Sequence, residues 1–226
     1  MDRKIHQLCL ASRCGMRVPD TCVTSDPLEA AQFLAKHPSA IYKSFWGSEA
    51  FWQPTREVDA VVRSSLDRLR VCPAIFQENV QGPLDIRVTV VEESVVAVGF
   101  DLTKSRYPTD VRIDTKTPCQ VVELPAVVES QIITFCKLAQ LNYAAIDLRK
   151  TSDGEVVFFE VNPAGQFLYL DLLAGTEVAG LMARALDSPM PTNGELLIEL
   201  ADSEGSIDSS YDMPIHGVGS PVTHLT

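Results

Sequence analysis

Two carboxylates and a carboxamide flank one short turn. Asp147, Glu160 and Asn162 lie in YAAIDLRK and EVVFFEVN, on either side of TSDG, and the Asp-Gly pair is a strong hairpin signal. If Asp153-Gly154 is a two-residue loop, Asp147 falls directly opposite Glu160. If the loop is the four residues Thr151 to Gly154, Asp147 faces Phe158 and Glu160 lies on the diagonal. Both registers keep Asp147, Glu160 and Asn162 on one face, because strand side chains alternate with a period of two. Like charges that close oppose each other unless something cationic sits between them. Oxygen-only ligands suit Mg²⁺ or Mn²⁺ better than zinc, and Mg²⁺ held by few protein groups also holds substrate phosphates. The pattern points to nucleotide chemistry; the competing reading is a hairpin with a solvated polar face.

Cations elsewhere in the chain bear on that choice. Lys4 opens the sequence, and Lys43 sits inside the apolar segment AIYKSF, where a lone ammonium is costly without an anionic partner. Arg87 and Arg112 add positive charge on or beside the strands. Each is also explained by a carboxylate partner or by an extended stem with its head in water. Together they match the charge of a triphosphate bridged by metal.

The elements that must position these groups are readable from periodicity. Residues 2–14 carry Ile5, Leu8, Cys9 and Leu10 at helical spacing and stop at Gly15 and Pro19. VPDT reads as a turn, and Asp26 caps a helix that Pro27 opens. AIYKSF is a strand, Val58 to Leu69 forms one helix face, and PAIFQENV is the next strand. IRVTVV alternates, setting Arg87 and Thr89 on one face and Ile86, Val88 and Val90 on the other, and SVVAVGFDL pairs with it through EES. A helix follows from Pro125 to Leu141 on the stripe Val128, Ile132, Phe135 and Leu138; after the TSDG hairpin, Leu168 to Leu186 is helix-rich.

Composition narrows the class. The chain has 226 residues, a net charge of −11 and 46% hydrophobic positions, a globular balance that buries roughly 70% of the unfolded surface. No apolar run is long enough to span a membrane, and MDRKIHQL lacks a signal-peptide core, so a cytoplasmic location is expected with no membrane partner. The acidity disfavours nucleic acid. Cys9, Cys14, Cys22, Cys72, Cys119 and Cys136 form no CxxC pair and read as scattered buried thiols. After Arg184 there are seven acidic residues and no Lys or Arg, so 187–226 is expected to be an acidic, flexible tail.

The order of these segments resembles the ATP-grasp superfamily, most closely the ribosomal-protein glutamate ligase-like branch that includes the ligases maturing microviridin-type peptides, the graspetides. The matching run begins at DRKIHQLCLASRCGMRVPDT, passes through IYKSF and FQENVQGPLDIRVTVV, and ends in AAIDLRKTSDGEVVFFEVNPAGQFLYLD, covering about residues 2–185. Its D…ExN spacing followed by P and GQF is the specific part. The resemblance implies an α+β ATP-grasp fold, with lobes at 1–79 and 80–186 and the nucleotide between antiparallel sheets. It implies that Lys4 and Lys43 contact the α- and β-phosphates, that Gln77, Glu78, Asn79 and Val80 form the adenine hinge, and that Asp85 binds the ribose. Asp147, Glu160 and Asn162 are implied ligands of two Mg²⁺ ions, Arg112 in TDVR a phosphate-facing or intermediate-stabilising arginine, and Arg87 a site residue of unfixed role.

The activity implied is phosphoryl transfer from ATP to a peptide or amino-acid carboxylate, followed by attack of an amine or hydroxyl on the acyl phosphate. Two departures from the family pattern stand against it. The usual N-terminal α/β domain has no counterpart before Asp2, so the sequence is expected to be a fragment or a short form completed by a homodimer, another partner or its own tail. After Lys43, SFWGSEAFWQPT offers only Gly47 where the family carries a glycine-rich lid. The alternative function is a non-catalytic nucleotide-binding or protein-interaction module derived from such a ligase.

Overall fold

The computed structural model describes residues 4–43, 56–106 and 117–187. These divide into two compact units, one formed by 4–18 with 82–106 and 117–187, the other by 19–43 with 56–81.

The first unit is built on five antiparallel strands. β5 (Leu84–Val91) and β6 (Ser94–Asp101) form a hairpin, β8 (Tyr143–Lys150) pairs with the other side of β5, β9 (Val156–Asn162) is one edge and β7 (Cys119–Val121) the other. Alternation gives this sheet two chemically different faces. Ile86, Val88, Val90, Ala144, Ile146, Leu148, Phe158 and Val161 form the apolar face. It is covered by Leu8, Leu10 and Ala11 of α1 (Lys4–Arg13) and by Ile132, Phe135 and Cys136 of α4 (Ala126–Leu138), with Phe135 and Phe158 ring to ring at 5.3 Å. The opposite face carries Asp85, Arg87, Asp147, Arg149 and Glu160. Part of it is closed by α5 (Leu168–Ala174), where Leu170 packs on Val98 and Phe100. Asp171 then ties α5 to α6 (Val178–Asp187), its carboxylate accepting the Val178 and Ala179 N–H groups at 2.9 Å.

The second unit is a four-stranded antiparallel sheet in the order β1 (Thr21–Thr24), β4 (Ala74–Gln77), β2 (Ile41–Lys43), β3 (Arg56–Glu57). Its core joins Cys22, Phe76 and Ala40 to Ala30 and Leu34 of α2 (Pro27–Lys36). As expected, α2 opens on Pro27 with Asp26 accepting the Leu28 N–H at 2.9 Å.

Three expectations are corrected. Residues 4–18 pack with the later segment rather than inside a 1–79 lobe, because the apolar stripe of α1 matches the sheet formed after residue 82. VPDT is not wholly a turn: Thr21 begins β1, whose pairing with β4 is a long-range event that a four-residue strand does not announce. The helix expected from Val58 to Leu69 is broken. Val58 donates to Ala40 instead, Asp59 caps a short α3 (Ala60–Ser64), and a 3₁₀ turn follows at Leu66–Arg70. Ser64 and Ser65 hydroxyls both bond back to the Val61 carbonyl at 2.9 and 2.7 Å, the local competition that weakens serine in helix interiors.

The six cysteines are free thiols. Burial pushes Cys136 up to about 12, with the Cys14 thiol adding to it, and Cys22 up to about 11. Among the described residues no helix is long and apolar enough to cross a membrane.

Two predictions follow from this packing. Phe158→Ala removes a fully buried ring and is expected to cost about 3–5 kcal/mol in urea denaturation, against well under 1 kcal/mol for truncating exposed Leu186. Thiols that ionise near 9.0 when unfolded but higher when folded contribute stability that is complete below that value and lost as pH rises toward the folded values. Unfolding free energy measured between pH about 8 and about 11 should therefore decline less steeply in Cys136→Ala than in the unmodified chain.

Candidate functional site

The hairpin sets Asp147 directly opposite Glu160, the pairing of the two-residue-loop register, but reaches it from a different turn. Beside the turn the pairs are Lys150 with Val156, Arg149 with Val157 and Leu148 with Phe158; the register then shifts, so that Asp147 meets Glu160 and Ala145 meets Asn162. Phe159 is the extra residue of a β-bulge. Without it the turn's own register would set Phe159 opposite Asp147 and turn Glu160 toward the apolar face. The turn itself spans 151–155, closed by the Thr151 N–H to the Glu155 carbonyl at 2.9 Å, with Gly154 at φ +92°, a left-handed position that suits glycine.

Each of the facing carboxylates has a cation against it. Lys4 Nζ lies 3.2 Å from Glu160 Oε2, and Arg87 Nη1 donates to Asp147 Oδ1 at 2.6 Å. Lys4 is held in place from three residues away. The buried Gln7 side chain donates to the Val161 carbonyl and accepts the Val161 N–H, both at 3.1 Å, satisfying the outward backbone groups of edge strand β9. Gln7 did not stand out in the sequence reading; its signal is a carboxamide among the inward-facing positions of α1. A little further along, the Arg17 carbonyl accepts the Phe158 N–H at 2.8 Å and covers the edge at that point.

Arg87 lies deeper than Lys4 and is 13% exposed. Burial works against its charge, but Asp147 and the Tyr169 and Tyr143 phenols outweigh it, and the guanidinium pKa is raised. The Tyr169 hydroxyl sits 3.3 Å from Arg87 Nε. Burial also raises the Tyr143 phenol, which donates to the Gly165 carbonyl and stands edge-on to Phe167 at 5.9 Å. The NPAGQF loop passes so near the sheet that a Cβ on Gly165 would fall 2.4 Å from Ala145 Cβ. Asn162 Oδ1 accepts the Ala164 N–H at 2.9 Å, which fixes its amide at the start of this loop.

Asp85 is engaged elsewhere on the same face. Arg149 grips both of its oxygens, Nε at 2.6 Å and Nη2 at 2.9 Å, and stacks 5.4 Å from the centre of the Phe159 ring. This bidentate pair, 9% and 17% exposed, was not anticipated from the sequence. The signal that finds it is register: Asp85 lies opposite Arg149 as Arg87 lies opposite Asp147.

The remaining candidates lie in the four-stranded unit. Lys43 Nζ donates to Gln77 Oε1 at 2.8 Å, and Gln77 Nε2 donates to Thr21 Oγ1 at 3.0 Å. Glu78 exchanges bonds with Asp20, accepting the Asp20 N–H on its carboxylate at 3.1 Å and donating its own N–H to the Asp20 carbonyl at 2.8 Å. Asn79 Nδ2 reaches Glu57 Oε1 at 3.4 Å, and Val80 is buried. Arg112, the 44–55 segment and the tail beyond residue 187 lie outside the described residues.

Among the described residues no three His, Cys, Asp or Glu side chains gather as a metal site. The set that fits a hard divalent cation is two facing carboxylates with an amide oxygen on the same face, the oxygen chemistry that Mg²⁺ prefers.

The sequence matches no family model and no curated protein. The solved structures are informative. The chain has an α+β ATP-grasp fold of the kind found in peptide-maturation ligases. It is similar to a RiPP-associated ATP-grasp ligase of Chryseobacterium gregarium solved with ADP and a leader and core peptide: 32% identity, 83% of this chain and 60% of that one, TM-score 0.74. It is also similar to the macrocyclase MdnC of Microcystis aeruginosa MRC bound to precursor peptide MdnA, with 27% identity, 82% and 60% coverage and TM-score 0.74. The ligase PsnB with a phosphomimetic precursor variant, Mg and ADP gives 26%, 81%, 57% and 0.67. The chain thus spans about 60% of the length of the first two structures.

The Asp85–Arg149 pair yields a stability prediction. Asp85→Ala takes a bidentate carboxylate from a buried guanidinium and is expected to cost about 3–5 kcal/mol in chemical denaturation, while Asp85→Ala with Arg149→Met recovers most of that loss.

Proposed function

We propose that the chain is the ATP-binding part of an ATP-dependent carboxylate-amine or carboxylate-alcohol ligase acting on a peptide, in a cytoplasmic setting. The observation that carries this reading is Asp147 opposite Glu160, with Asn162 on the same face, in a fold shared with ligases solved with precursor peptides. Asp147, Glu160 and Asn162 would hold Mg²⁺, which neutralises phosphate charge when bound. Lys4 and Arg87 lie on that face with donors suited to phosphate oxygens. Lys43, Gln77, Glu78, Asn79 and Val80 keep the phosphate and hinge roles that the family resemblance implies, as does Arg112.

In the proposed reaction a substrate carboxylate attacks the γ-phosphorus of ATP and ADP departs. An amine or hydroxyl then displaces phosphate from the acyl phosphate, forming an amide or ester. The protein's share is positioning and charge compensation rather than a nucleophile. A homodimer or a partner chain is the further association that this reading includes.

The reading is tested by Mg²⁺-dependent release of ADP from ATP in the presence of acidic peptides carrying Lys, Ser or Thr. Glu160→Gln is expected to abolish that release while circular dichroism stays unchanged; release that survives the substitution overturns the metal assignment. Thermal unfolding supplies a second check, since ADP with Mg²⁺ at about 100 times Kd adds roughly 2.7 kcal/mol, a rise of about 2–4 °C. No rise at millimolar nucleotide points to the alternative of a protein-interaction module.

A further inference from the structure

We propose that Lys4 and Arg87 are placeholder cations: each occupies one of the two carboxylates that would hold the divalent ion, and both pass to the phosphate chain when metal and nucleotide arrive together. This rests on the reading of Asp147, Glu160 and Asn162 as the metal face. Its content is an exchange of partners that makes the two ligands bind cooperatively.

The argument starts from charge. Asp147 and Glu160 face each other across adjacent strands, an arrangement that disfavours itself unless compensated. Here Glu160 has Lys4 at 3.2 Å and Asp147 has Arg87 at 2.6 Å. A divalent ion bound to the same carboxylates would stand next to both cations, so an ammonium and a guanidinium must withdraw or be given an anion. On this face the neighbouring carboxylate, Asp85, already has both oxygens on Arg149. Phosphate oxygens are the anion that both side chains pair with well.

The tethers of the two cations suit such a transfer. Lys4 is 51% exposed at the first turn of α1, and the helix is anchored through Gln7 rather than through the lysine. The ammonium can therefore leave Glu160 without moving α1. Arg87 keeps its Nε contact with the Tyr169 hydroxyl at 3.3 Å, a contact independent of the Nη1 that holds Asp147. The phenol retains the guanidinium on the face after the carboxylate is surrendered.

The consequence is reciprocal coupling. Metal alone displaces the two cations without supplying them an anion, and nucleotide alone meets cations already engaged, so each ligand strengthens the other. Removing a placeholder should then have opposite effects on the two. With Mn²⁺ as the probe, free ion measured by electron paramagnetic resonance on the full chain, Lys4→Met and Arg87→Met are each expected to tighten metal binding without nucleotide, by at least about fivefold. The same variants should weaken ADP binding without metal and reduce the enhancement of Mn²⁺ affinity that ADP produces. A merely structural role would weaken metal and nucleotide alike. If Mn²⁺ binding without nucleotide is unchanged or weaker in both variants while Mn²⁺ with ADP still binds, the exchange is wrong and the metal face stands. If Glu160→Gln binds Mn²⁺ as the unmodified chain does, the metal face is wrong and the exchange falls with it. Lys4 is exposed and its replacement leaves the core intact, so Lys4→Met decides the matter should Arg87→Met unfold.

Discussion

Two acids set against each other across neighbouring strands are the constraint around which this sheet is organised. Such a pair is unstable on an isolated hairpin, and what makes it tenable comes from far away in sequence. Lys4 arrives on a helix from the start of the chain, Arg87 on the strand beside Asp147, and Gln7 fastens that helix to the edge strand by its backbone. Moving α1 out of register would uncover Glu160 and leave the N–H and C=O of Val161 without their partner. The helix is thus a structural clamp on β9 and the carrier of a charge.

The sheet separates its tasks by face. Strand alternation sends Ile86, Val88 and Val90 into the core with α1 and α4, and sends Asp85 and Arg87 to the other side. Core packing can hold the strands rigid without touching the chemistry, while the polar face spends its geometry on two crossed ion pairs, Asp85 with Arg149 and Arg87 with Asp147. Among the described residues α5 covers part of that face, through Leu170 against Val98 and Phe100.

Much of this was legible in the sequence, because it rests on local periodicity. The alternation of IRVTVV, the stripe of α4 and the Asp26-Pro27 start of α2 all follow from spacing alone. What was not legible depends on partners distant in the chain. Thr21–Thr24 is a strand because β4 pairs with it, and residues 4–18 join the later unit because their apolar stripe fits a sheet not yet formed when they are read. The ribose role that resemblance gives Asp85 says nothing of Arg149, which is visible only once β5 and β8 are in register. The hairpin is the most instructive case, since the alignment of the two acids was expected from a regular ladder and is reached through a bulge.

That bulge also separates the number of residues in the hairpin from the placement of its acids. A chain one residue shorter here, passing from Phe158 straight to Glu160, would continue the turn's register as a plain ladder and still set the same acid opposite Asp147. With Phe159 present, the bulge is what keeps Glu160 on the face of Asp147. What the added residue brings is a ring beneath Arg149 and a tighter coil in the edge strand. In this hairpin the spacing of the acids and the support of the neighbouring ion pair are separable traits, each open to change without the other.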